Sequence, residues 1–278
     1  MENAYNYTKN LLKRGAKAYK SLGQNFLIDD QAIEMIASAT IQDEKTPLVE
    51  IGPGLGVLTR VLATRVQKVW AVELDKEKIA LLTSQLQGLP VEIINMDALE
   101  LDLKDLWGEN KGVLVGNLPY YITSPLLMHF LNQRESLIYM VVMVQKEVAD
   151  RLIAQPGKKD YGILSVATQI YAQPEKLFEV PPDSFLPAPK VTSAVVRLTL
   201  RPYPGLEVEE EKLLRIVKAS FSQRRKTLVN SLAGGLKMEK KRVKEILNHA
   251  GIEEQRRGET LSIEEFQKIT KEFFRNKD

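Results

Sequence analysis

Between Leu48 and Val144, short apolar runs alternate with stretches of helical spacing. Leu48-Val-Glu-Ile51 reads as a buried strand, and Leu58 to Val66 as the helix that follows it. Lys68 to Leu74 is a second strand, and Lys76 to Leu86 a second helix. Val91-Glu-Ile-Ile94, Val113-Leu-Val115 and Leu137 to Val144 supply three more strands. Strands that alternate with helices predict a doubly wound α/β fold, a parallel sheet covered on both faces. Ligands in such folds bind beyond the carboxyl ends of the strands. Residues 181–204 are proline-rich around an alternating run, Val191 to Leu200, which predicts a late strand. After Gly205 the pattern is helical, over Leu213 to Phe221, Thr227 to Leu232, Lys240 to His249 and Ser262 to Phe274. Ser262 and Glu265 have capping-box spacing at the last of these helices. Two domains are expected: an α/β domain over 1–204 with a basic N-terminal segment, and a small all-helical domain over 205–278.

Composition narrows the chemistry. The 278 residues are 44% hydrophobic and 27% charged, which is ordinary globular usage. The chain has no cysteine, which excludes disulfides and thiolate metal sites. His129 and His249 are the only imidazoles, so no metal is expected and neither histidine is given a role. The first twenty residues lack an apolar h-region, and the apolar run 137–144 is far too short to span a bilayer. A soluble cytoplasmic protein is expected. Charge is unevenly spread: residues 1–20 sum to +4, residues 204–278 to +4, and the middle to −5. Basic ends around a slightly acidic core suit a catalytic domain flanked by surfaces that meet polyanions.

Candidate site residues stand where strands end. Gly52, Gly54 and Gly56 follow the first strand, where glycines allow a sharp turn and close approach to a ligand. Their G-x-G-x-G spacing, followed by Val57, lacks the third glycine of the dinucleotide fingerprint. Glu73 ends the second strand, where a carboxylate can accept hydrogen bonds from ribose hydroxyls. Asp97 follows the third strand, where it could accept a bond from an adenine amino group. Each acid alone could instead be a helix N-cap. In this order they resemble the site of a Rossmann-like class I methyltransferase, with S-adenosyl-L-methionine as cofactor.

Asn117-Leu118-Pro119-Tyr120 follows the fourth strand. An adenine N6 lone pair is delocalised into the ring, so the amine is a poor nucleophile. Acceptors on its two hydrogens draw the nitrogen toward tetrahedral geometry. The Asn117 side-chain oxygen and the Leu118 carbonyl are suitable acceptors; Pro119 stiffens the loop and removes a competing donor. Tyr120 can stack on a flipped base, which is worth about 1–3 kcal/mol.

The chain resembles the bacterial small-subunit rRNA adenine dimethyltransferases, the kasugamycin-sensitivity family. The resemblance is carried from about Lys20 to Lys226 by Leu22-Gly-Gln-Asn-Phe-Leu27, the glycine loop, Val72-Glu-Leu-Asp75, Asn117-Leu-Pro-Tyr120, Phe185-Leu-Pro-Ala-Pro-Lys-Val191 and Phe221-Ser-Gln-Arg-Arg-Lys-Thr227. It implies that Asn25 and Leu27 close over the cofactor, with Gly52, Glu73, Asp97 and Asn117 completing its site. It also implies Phe185 as a second aromatic wall for the base beside Tyr120. The substrate so implied is 16S rRNA in a small-subunit assembly intermediate, dimethylated by a monomer on two adjacent adenosines of its 3′-terminal hairpin. Arg224, Arg225 and Lys226 are candidate phosphate contacts; the alternative is a solvated helix face. Three other readings remain: a macrolide-resistance 23S rRNA methyltransferase, a non-catalytic RNA-binding assembly factor, and, more distantly, a nicotinamide oxidoreductase.

Overall fold

The structure is a computed structural model describing residues 2–18 and 24–275. Leu22 and Gly23 of the first shared motif, and Lys20 of the basic N-terminal segment, lie outside the described residues. The chain begins with α1 (Ala4–Lys13), β1 (Phe26–Leu27) and α2 (Asp30–Thr40). Then follow β2 (Leu48–Ile51), α3 (Val57–Ala63), β3 (Val69–Glu73), α4 (Lys76–Gln85), β4 (Val91–Asn95), α5 (Leu103–Trp107), β5 (Gly112–Asn117), α6 (Thr123–Asn132) and β6 (Leu137–Gln145). After α7 (Lys146–Ile153) and α8 (Ile163–Tyr171) come β7 (Ala172–Val180), β8 (Phe185–Leu186) and β9 (Ser193–Leu200). Four helices complete the chain: α9 (Glu210–Ser220), α10 (Leu228–Leu236), α11 (Lys240–His249) and α12 (Ile263–Phe274).

Contacts divide the molecule into two units, 1–149 with 173–200 and 150–172 with 201–278. The first holds a sheet in the order β4-β3-β2-β5-β6-β9-β7. Strands β4 through β6 are parallel, as the βα alternation requires, and β9 joins β6 antiparallel. Strand order reverses at β2, which lies between β3 and β5. A crevice at their carboxyl ends is the ligand position this topology provides. On one face, Ile33, Ile36 and Ala37 of α2 and Leu58 and Leu62 of α3 pack against Leu48, Val69, Val113 and Val141 of the sheet. Each such aliphatic side chain, fully buried, contributes about 1.5–3 kcal/mol. Strand β7 was not expected. Its Ala-Gln-Pro-Glu-Lys run is polar, and Pro174 is tolerated because β7 is an edge. The basic N-terminal segment also holds a helix that was not foreseen, α1, whose first turn is capped by the Asn3 side chain.

The second unit is helical, and it takes in 150–172 as well as the region expected to begin at 205. Tyr161 explains why: its ring meets Phe221 edge-on at 6.1 Å, and its hydroxyl donates to the Leu261 carbonyl at 2.9 Å. The capping box of α12 is present, with Ser262 Oγ accepting from Glu265 N and Glu265 Oε2 from Ser262 N. Residues 221–226 form turns between α9 and α10 rather than the helix face considered above. Among the described residues, no helix is long and apolar enough to cross a membrane, and no cluster of three acids or imidazoles could hold a metal.

Candidate active site

The glycine loop leaves β2 with all three glycines in the left-handed region, at φ +69°, +60° and +82°. Gly52 N donates to the Val72 carbonyl at 3.0 Å, which ties the loop to β3. At Gly56, a Cβ would also come within 2.8 Å of a Leu82 methyl, so α3 starts in close contact with α4. Glu73 sits at the end of β3, where its carboxylate accepts from Asp75 N at 2.9 Å and Gly54 N at 3.3 Å. Burial raises its pKa, against the pull of those backbone donors and of Lys78. It is not a helix cap: Asp75 caps α4, and the buried Lys78 ammonium lies 2.5 Å from that aspartate. Asn95 holds the same strand end from β4, donating to the carbonyls of Glu73 and Leu74. Asp97 accepts from Leu99 N at 2.9 Å in a local turn, and α5 is capped by Asp102 instead.

Asn117 ends β5. Its Nδ2 donates to the Asn25 carbonyl at 3.2 Å, and no described residue donates to its Oδ1. Leu118 N bonds the Met143 carbonyl of β6, and the Pro119 carbonyl accepts from Ile122 N and the Thr123 hydroxyl. The loop is thus fixed at both ends. Tyr120 is half-buried; burial raises its pKa, while the Ser193 hydroxyl 2.6 Å from its own works against that rise.

These residues surround one cavity of about 560 Å³, within the roughly 300–1,000 Å³ usual for small-molecule sites. Asn25, Leu27, Gly52, Gly54, Glu73 and Asp97 line it, as does Asn117 through Tyr120. Gly56 and Phe185 do not. Phe185 is 2% exposed, paired with Leu27 across the β1–β8 ladder and packed in the core. The expected second aromatic wall is therefore not at this cavity. Besides Tyr120, the aromatics that line the cavity are Phe26 and Tyr121, the latter 56% exposed. Glu50 is a further residue that sequence reasoning missed. It lines the cavity at 2% exposure, and its Oε2 has no hydrogen-bond partner among the described residues. Burial, with the nearby Glu73 charge, pushes its pKa up to about 7 despite the Thr59 hydroxyl. A charged residue inside the strand Leu48–Ile51 was its visible signal.

In the second unit, Arg224 Nε lies 3.1 Å from Glu259 and its guanidinium bonds the Lys159 carbonyl. Arg225 and Lys226 are exposed.

A sheet of this order, with a glycine loop, a strand-end acid and an Asn-Leu-Pro-Tyr loop around its switch-point cavity, defines a Rossmann-like class I methyltransferase. The family model for ribosomal RNA adenine dimethylases matches residues 15–273, and the chain belongs to that family. The chain is 70% identical over 278 residues, all of both chains, to ribosomal RNA small subunit methyltransferase A of Desulfitobacterium hafniense (strain DSM 10664 / DCB-2). The protein of that name in Clostridioides difficile (strain 630) is 45% identical over 271 residues, 95% of this chain and 94% of that one. Among solved structures, the 23S rRNA methyltransferase ErmE superposes with a TM-score of 0.68 at 29% identity, over 89% of this chain and 99% of that one. A dimethyladenosine transferase from Plasmodium falciparum shares the fold, with a TM-score of 0.76 at 24% identity over 90% and 97% of the two chains.

Proposed function

We propose that this methyltransferase uses S-adenosyl-L-methionine to dimethylate N6 of two adjacent adenosines in the 3′-terminal hairpin of 16S rRNA. It would act as a monomer in the cytoplasm, on a small-subunit assembly intermediate. The observation that carries the reading is the orientation of Asn117. With Nδ2 spent on the Asn25 carbonyl, Oδ1 is the end left to accept a hydrogen from an amino group.

The cavity suits the methyl donor. The glycine loop leaves room where side chains would intrude, Glu73 and Asp97 offer acceptors for ribose and adenine, and the unpartnered Glu50 Oε2 suits an ammonium group. The bound donor would supply an electrophilic methyl on a sulfonium. Asn117 Oδ1 and the Leu118 carbonyl would take the two amino hydrogens of the target adenine and turn its lone pair out of conjugation. Pro119 adds rigidity to that loop, and Tyr120, its hydroxyl held by Ser193, would present a fixed ring for stacking. No strong general base is needed, because the nitrogen becomes acidic once it is alkylated; orientation supplies most of the rate. In the second unit, Arg225 and Lys226 would meet phosphates, which positions RNA without reading its sequence.

Mass spectrometry of unmethylated ribosomal subunits after incubation with enzyme and donor tests the proposal. Two dimethyladenosines per small subunit are expected; label confined to the large subunit would overturn the substrate assignment. Asn117→Ala should abolish transfer and leave RNA affinity nearly unchanged. Full activity in that variant would refute the mechanism.

A further inference from the structure

Helix α1 buries Ala4, Tyr7, Thr8 and Leu11 along one face. That face covers the glycine loop. The Tyr7 hydroxyl donates to the Leu55 carbonyl at 3.1 Å, between Gly54 and Gly56. The Arg60 guanidinium of α3 lies 4.1 Å from the centre of the Tyr7 ring. Tyr7, Leu11, Phe26 and Leu55 form a separate apolar cluster, and the Phe26 ring comes within 3.4 Å of where a Cβ of Gly54 would stand. At its start, α1 is tied to α2 by Ala4 N donating to Asp30 Oδ1 at 2.9 Å.

These contacts bear on a segment with a specific weakness. Three left-handed glycines in five residues give the loop more backbone freedom to lose than any other part of the cavity wall. Freezing such a segment before a ligand arrives removes that entropy from the cost of binding. Leu55 is buried, so its carbonyl needs a donor from the protein, and Tyr7 provides one from 48 residues away.

We infer that Tyr7 is a positioning residue for the methyl-donor site: by bonding the Leu55 carbonyl, its hydroxyl holds the glycine loop in its receiving shape. The inference rests on the proposed use of S-adenosylmethionine. Tyr7 touches neither donor nor RNA in this account; it acts through the loop alone.

The test is calorimetric titration of the full chain with S-adenosylhomocysteine, for wild type, Tyr7→Phe and Thr8→Val. Tyr7→Phe keeps the ring beneath the Arg60 guanidinium and removes the hydroxyl, and with it the bond to the Leu55 carbonyl and the hydroxyl's interaction with Arg60. It should bind about fivefold more weakly, the factor expected for one neutral hydrogen bond. In turnover, KM for the methyl donor should rise by a similar factor, with kcat and the KM for RNA little changed. The Thr8 hydroxyl, equally buried on the same helix, bonds no described residue, so Thr8→Val should bind as wild type. Unchanged affinity in Tyr7→Phe would overturn the inference. If the wild type fails to bind S-adenosylhomocysteine, the cofactor reading itself fails, and the inference falls with it. Hydrogen exchange adds a readout independent of affinity. Amides of Gly52 and of residues 54–57 should exchange faster in Tyr7→Phe while those of β2 and β3 do not; uniform acceleration would mean general destabilisation and would overturn the positioning role.

Discussion

Glu50→Gln should make the protein more stable above neutral pH while weakening cofactor binding. Glu50 is held in the middle of β2 with one oxygen unpartnered, and its pKa is pushed from the ordinary 4.5 up to about 7. The folded state therefore keeps a proton that the unfolded chain has already lost. Because the folded pKa is the higher one, stability falls as pH rises through the window from 4.5 to about 7 and is constant above it. At about 1.4 kcal/mol per pH unit, that interval amounts to about 3 kcal/mol. Glutamine cannot ionise, so the variant escapes this loss. Both tryptophans, Trp70 and Trp107, lie in the first unit with their rings 6.0 Å apart, so their fluorescence follows the unit that contains Glu50. Denaturant unfolding without cofactor, at about pH 4.5 and pH 8, gives the two numbers needed. Relative to wild type, Glu50→Gln should gain about 3 kcal/mol between those pH values. A difference that does not change with pH would refute the buried, unpaired carboxyl. Loss of affinity for the methyl donor in the more stable variant would separate a site role from a structural one, since such a trade of stability for function marks a functional residue.

Gly56→Ala should destabilise the first unit by about 1–3 kcal/mol, from a strained left-handed backbone and the displaced Leu82 methyl; an unchanged denaturation midpoint would contradict this. Tyr120→Phe keeps the ring and should retain kcat/KM within a few fold. Tyr120→Ala forfeits stacking worth about 1–3 kcal/mol, a loss of roughly fivefold to 150-fold in kcat/KM; equal rates for the two would remove the stacking role. Neutralising Arg225 or Lys226 should lower the slope of log affinity for RNA against log salt by about 1 each. Arg224→Ala should leave that slope nearly unchanged and lower stability instead, because Glu259 and the Lys159 carbonyl already occupy its guanidinium. The opposite ranking, measured by filter binding over a salt series, would reverse the assignment.

The contrast between Asn117 and Arg224 shows what a sequence can disclose about a site. Gly52, Glu73, Asp97 and Asn117 were legible because chain order in a parallel sheet dictates that strand ends converge at the switch point; a residue's place after its strand is already its place at the cavity. No such rule reaches Phe185. Its two-residue strand pairs with β1 across more than 150 residues, and that pairing turns its ring into the core rather than toward the cavity. Arg224 looked like its two basic neighbours, and only folding brings Glu259 beside it. Glu50 is the intermediate case. An acid within an apolar strand is visible as an anomaly, yet whether it is paired depends on groups that α3 and β3 bring near it. Backbone position at this site thus follows from topology, whereas the charge state and availability of each polar side chain follow from distant partners. Tyr7 belongs to the second kind: nothing in the local pattern of α1 marks it, and its meaning comes from the Leu55 carbonyl on another element.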